Sequence, residues 1–190
     1  MAMLGRRGAF GLAMVLLARP AAARGPSFLS ACADPDGRWR VAAFGLDGVP
    51  RFEQPIPGRG HGSAVAPDGS TAVMFGRRPG TYALVLDTET GHVIGQIARA
   101  TQRWFSGHGV FSADASLLYA TETDAGGEGI VGVYHAAATF NRIGEFPSGG
   151  TDPHDIRLSR DGSVLLVANG GIRTDPSLPR ARFDLDRIDS

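Results

Sequence analysis

The chain contains no lysine: its 19 basic residues are all arginine, balanced by 19 carboxylates for a formal net charge of zero. Without a basic excess there is no electrostatic footprint for nucleic acid. The single cysteine, Cys32, excludes an internal disulfide and any Cys-rich zinc or haem attachment site, and a buried, inert thiol is expected there. Also missing are the Gly-x-Ser-x-Gly elbow, the phosphate loop, the Cys-x-x-Cys-His motif and the dinucleotide fingerprint, which removes the commoner enzyme classes. Beyond residue 23 no stretch keeps a 3.6-residue apolar spacing over three turns, so amphipathic helices are not expected.

What is present is a repeat. Gly60-His61-Gly62-Ser63-Ala64-Val65-Ala66-Pro67-Asp68-Gly69 returns as Gly107-His108-Gly109-Val110-Phe111-Ser112-Ala113-Asp114, and again as Pro153-His154-Asp155-Ile156-Arg157-Leu158-Ser159-Arg160-Asp161-Gly162. The three histidines recur 47 and 46 residues apart. Short apolar runs separated by Asp-Gly turns at that period are the sequence signature of β-propeller blades. The 27 glycines suit tight turns between short strands, and 43% hydrophobic content is enough for a core.

The first 23 residues read as an export signal. Arg6-Arg7 precedes the apolar run Ala9–Ala18 and the small-residue site Pro20-Ala21-Ala22-Ala23, too short a run to span a bilayer. The arginine pair is similar to a twin-arginine signal, with a general secretory signal as the alternative. The reading places the mature chain, residues 24–190, in the periplasm with no transmembrane segment after signal removal.

The mature chain divides into a three-stranded unit (residues 28–54), two four-stranded units opening at His61 and His108, and a half unit from His154. The expected fold is all-β: antiparallel four-stranded blades forming an incomplete propeller of about three and a half blades out of a probable seven. An open ring leaves unpaired strand edges, so the sequence is expected to be the N-terminal half of a longer ring.

Arg59-Gly60-His61, Arg77-Arg78-Pro79-Gly80, Gly107-His108-Gly109-Val110-Phe111-Ser112, Tyr119-Ala120-Thr121-Glu122, Gly129–Tyr134, Pro153-His154 and Val167–Ile172 together resemble the domain-of-unknown-function 1513 (DUF1513) family of exported bacterial propellers. The resemblance implies a seven-bladed, YVTN-like propeller about twice this long, export by the twin-arginine route, and frequent encoding beside iron-acquisition proteins. It implies no characterised activity. The chain departs from the family pattern at His135 (usually Asp), Asp155 (usually Glu), Asp175 (His expected) and Thr151-Asp152 (usually a Gly-rich pair).

Equivalent positions of successive blades lie on a ring about the propeller axis, so His61, His108 and His154 are expected to converge at one mouth of the channel. With the adjacent Asp155 they would make an open site for a transition metal (Fe, Cu or Zn), since imidazole suits these ions. The alternative is three histidines that each hydrogen-bond only within their own blade. Glu122 and Asn169 end corresponding inner strands and are candidates for the same mouth, or for strand-end caps. Arg77, Arg78 and Arg180 are candidates for gripping an anion, or are solvated. His92 is expected exposed after a hairpin, and Asp68, Asp114 and Asp161 are turn residues. The sequence therefore points to a periplasmic binding or accessory protein serving iron or another metal, with metal-uptake proteins and the missing C-terminal half of the ring as partners. The alternatives are a lactonase-like or quinoprotein-like propeller enzyme and a nonfunctional truncated product.

Overall fold

A computed structural model describes residues 28–137 and 139–173; residues 1–23, for which an export signal is expected, Asp175 and Arg180 lie outside the described residues. Among the described residues thirteen strands form four antiparallel sheets in chain order. The first holds β1 (Phe28–Ala33), β2 (Trp39–Phe44) and β3 (Pro50–Pro55). The second holds β4 (Gly60–Val65), β5 (Thr71–Gly76), β6 (Ala83–Asp87) and β7 (Val93–Ile97). The third holds β8 (Arg103–Phe111), β9 (Leu117–Asp124), β10 (Glu128–His135) and β11 (Asn141–Thr151). The last pairs β12 (Pro153–Leu158) with β13 (Leu165–Asn169). Among the described residues no helix is long and apolar enough to cross a membrane.

The turns follow from repeated local chemistry. Between the first two strands of the second, third and fourth sheets stands an Asp whose Oδ1 accepts from the backbone N–H and the hydroxyl of the serine two residues on: Asp68–Ser70, Asp114–Ser116 and Asp161–Ser163. The residue between is left-handed in each case, Gly69 at φ +74°, Ala115 at +60° and Gly162 at +73°. These Asx turns set the hairpin register by side-chain mimicry of a backbone turn.

Strand alternation then sends one sheet's residues to two interfaces. In the second sheet Met74, Leu84 and Leu86 face the first sheet and pack with Val41 and Ile56, while Val73, Phe75, Ala83 and Val85 face the third and pack with Phe105, Leu118, Ala120 and Tyr134. Phe75 and Phe105 meet edge to face at 5.7 Å. Both faces of this sheet are covered, which is why β5 and β6 read as unbroken apolar runs rather than alternating ones. Face-to-face packing brings the first strands of the sheets, β1, β4, β8 and β12, side by side.

Two expectations change. Cys32 is half-buried, because it sits on β1, where the sheet is only partly covered. The third unit also begins before its histidine: β8 starts at Arg103, which pairs with Asp124 of β9, and Phe105 exchanges two backbone hydrogen bonds with Gly80, on the loop between β5 and β6, at 2.8 and 3.0 Å. His92 is exposed, as expected.

Candidate functional site

His61, His108 and His154 occupy the first strands of three successive sheets, β4, β8 and β12. In each strand the histidine falls inside a register shift: Gly60 to Ser63, Phe105 to Gly109, and Pro153 to Asp155. A bulge leaves its extra residue unpaired and re-aims the side chain. Here it turns three imidazoles toward one another. Ring centroids lie 4.8 Å apart for His61–His108, 5.3 Å for His108–His154 and 5.6 Å for His61–His154.

Glycines make this approach possible. A Cβ on Gly62 would stand 2.5 Å from the Gly107 carbonyl oxygen and 2.7 Å from His108 Nδ1, and one on Gly107 would stand 2.5 Å from His61 Cδ2. The second and third sheets therefore each contribute a histidine and the bare backbone against which the other's imidazole rests. Gly107 is also left-handed at φ +111°. Thr121 fixes the bulge from β9, accepting from the His108 N–H and donating to the His108 carbonyl.

One donor nitrogen from each ring lies within 4.8 Å of the others. Bonds of about 2.0–2.1 Å to a tetrahedral ion put nitrogens roughly 3.3 Å apart, so small side-chain rotations suffice. Among the described residues none of the three imidazoles hydrogen-bonds within its own sheet, the pattern expected of purely structural histidines. His61 and His108 are half-buried and His154 is exposed, leaving one side open to solvent. Burial, the neighbouring His108 and His154, and the charges of Arg77 and Arg78 push the His61 imidazole down to about 4. Burial likewise lowers His108, opposed by the carboxylate of Asp155. Both rings are neutral at pH 7 and present lone pairs.

The remaining candidates separate. Asp155 Oδ1 is 3.4 Å from His108 Nδ1, at the edge of the cluster but outside the converging donors. Arg77 and Arg78 follow β5 on the loop that Gly80 pins to β8, close enough for their charges to reach His61. Arg78 pairs with the buried carboxylate of Asp152, tying the second sheet to the entrance of the fourth. Its guanidinium therefore has a partner within the fold. Arg77 is exposed.

Glu122 and Asn169 do not join the histidines. Glu122 is 1% exposed and its carboxylate turns across Gly132, accepting from the Tyr134 hydroxyl and, at 2.7 Å, from Arg142 Nη2. Glu122 shares its face of β9 with Leu118 and Ala120, which are packed against the second sheet, so it is directed there too. The Asn169 amide is held by Ser148 of β11, accepting from its hydroxyl at 2.8 Å and donating to its carbonyl at 3.1 Å. The residues that sequence reasoning missed are Gly62, Gly107, Thr121 and Asp152. Only the repeated Gly-His-Gly text around His61 and His108 signalled the first two.

Radially stacked antiparallel sheets with equivalent first strands gathered at the centre define a β-propeller protein. The description "Protein of unknown function (DUF1513)" belongs to the family whose profile matches residues 54–190, and the chain is a member of that family. Among solved structures it is similar to a chain of the mitotic checkpoint complex, with 12% identity and a TM-score of 0.56 over 77% of this chain and 47% of that one. It is also similar to a protein from Lactobacillus plantarum, with 17% identity and a TM-score of 0.53 over 74% of this chain and 47% of that one. The chain thus spans about half the length of these structures, and at such identities the likeness concerns the fold alone. No curated protein matches.

Proposed function

We propose that this protein is an exported, periplasmic metal-binding propeller whose site is the histidine triplet at the channel mouth, serving iron, copper or zinc in a binding or accessory role. The observation that carries the reading is the convergence of three imidazole donors, one from each of three successive sheets, within 4.8 Å. Two of the rings are held neutral by burial, which leaves their lone pairs available. Three imidazole donors with one open side match a borderline divalent ion that keeps a solvent or partner ligand. The arginine pair near the N-terminus and the apolar run after it support export.

The test is calorimetric titration of the metal-free protein with Zn(II), Cu(II) and, under anaerobic conditions, Fe(II). One ion per chain is expected. H61A and H108A should each weaken binding by more than the roughly 10–100-fold that loss of an outer partner of a ligand costs. Binding that is absent, or indifferent to both substitutions, refutes the reading.

A further inference from the structure

We infer that Asp155 is a positioning residue for the metal ligand His108: it accepts a hydrogen bond from Nδ1–H, keeping the proton on Nδ1, and so leaves Nε2 for the ion. This rests on the metal reading above. A neutral imidazole carries one proton, and the nitrogen that keeps it is unavailable to a metal. Which nitrogen that is depends on what the other meets. In solution the two tautomers interconvert freely, so a site that needs one of them gains by fixing it before the ion arrives.

The carboxylate is built for this. Its two oxygens are already anchored, Oδ1 by the Ile156 backbone N–H at 2.9 Å and Oδ2 by Arg157 Nε at 3.0 Å. Oδ1 faces His108 Nδ1 at 3.4 Å, so a small ring rotation completes the hydrogen bond. Gly62 leaves that edge of the ring uncovered. Asp155 follows the bulge that turns His154 inward, so one irregularity in β12 places a ligand of its own and an orienting acceptor for its neighbour's ligand. Direct ligation by Asp155 is disfavoured on the same ground: the oxygen nearest the cluster is taken by the Ile156 N–H and by His108, and the carboxylate stands outside the converging donors.

The experiment has two arms, both on the full chain. Long-range proton–nitrogen NMR of metal-free protein at neutral pH reads the tautomer of His108, expected with its proton on Nδ1. In D155A that preference is lost. Calorimetry with Zn(II) then compares the variants: D155A is expected to bind about 10–100-fold more weakly, and D155N, whose amide oxygen still accepts a hydrogen bond, to recover part of the loss and keep the tautomer. A His108 proton found on Nε2, or unchanged Zn(II) affinity in D155A, overturns the inference while leaving the metal reading intact. If Zn(II) does not bind, Cu(II) or Fe(II) takes its place in the comparison; if the unaltered protein binds none of the three, the metal reading falls and this inference with it, whatever the tautomer.

Discussion

Where β4 meets β8 a glycine faces a backbone carbonyl, and G62A tests that approach. The new methyl would stand 2.5 Å from the Gly107 oxygen, where ordinary contact begins at 3.4 Å, so β4 and β8 must part by about 0.9 Å. The obstacle is backbone and cannot rotate away. Gly62 has no left-handed φ, so alanine brings no conformational strain of its own there. The cost is therefore overpacking alone, about 1–3 kcal/mol. The same displacement separates His61 from His108 by more than the ~0.5 Å that a ligand constellation tolerates. Zn(II) affinity should accordingly fall by at least about tenfold, beyond what the stability loss explains.

The control is G144A on the edge strand β11, where an added methyl meets nothing within 4 Å. It should be neutral, or stabilising by about 0.5–1 kcal/mol, because alanine has less backbone freedom to lose on folding. Urea midpoints and calorimetric Zn(II) titrations of both variants decide the matter. A G62A protein that unfolds and binds Zn(II) like the unaltered chain would show that β4 and β8 do not approach through these glycines.

Three further outcomes are expected. Ala115 holds the left-handed position that glycine fills in the neighbouring sheets, so A115G should raise stability by about 1 kcal/mol, read from the urea midpoint. Stability of the metal-free protein should fall in two acid limbs. His61 has its folded value depressed from 6.5 to about 4, so the unfolded chain takes up that proton first and stability drops as pH falls between those values. Asp114 and Asp161, lowered from 3.8 to about 2 by serine hydroxyls and backbone N–H groups, lose their contribution as pH falls through that lower range. H61A should flatten the first limb and D114N/D161N the second, in urea midpoints measured from pH 7 to 2. Finally, R142A should destabilise by about 3 kcal/mol in the same assay, because it leaves the buried Glu122 carboxylate with only the Tyr134 hydroxyl.

The repeat and its consequence for the histidines were legible because both depend on local text: Asp at the same turn, His on the first strand of three successive sheets, and a period that returns each to the same radius. Glu122 was misplaced by its offset from the strand end, although the two-residue alternation Leu118-Ala120-Glu122 already put it on the face buried against the second sheet. Asn169 and Arg78 could not be read this way. Their partners, Ser148 and Asp152, come from other strands, and only the stacking of the sheets brings them near. The bulges were equally hidden, since a register shift is a relation between two strands and leaves no mark on one.

Those bulges explain why a repeat can become a site. On a regular strand the residue at the histidine position would follow the pleat, pairing with its neighbour in the sheet and pointing into one of the interfaces that hold the sheets together. The shift in β4, β8 and β12 removes that residue from the ladder, on the first strands where successive sheets meet. Burial together with the neighbouring imidazoles and Arg77 disfavours the protonated form of His61, and folding therefore selects its neutral, lone-pair-bearing form. The packing that stacks the sheets is thus also what prepares the donors. A substitution that loosens the stacking should let His61 titrate closer to its ordinary value before any histidine has been changed, and G62A, followed by NMR titration of His61, is where that coupling would be seen.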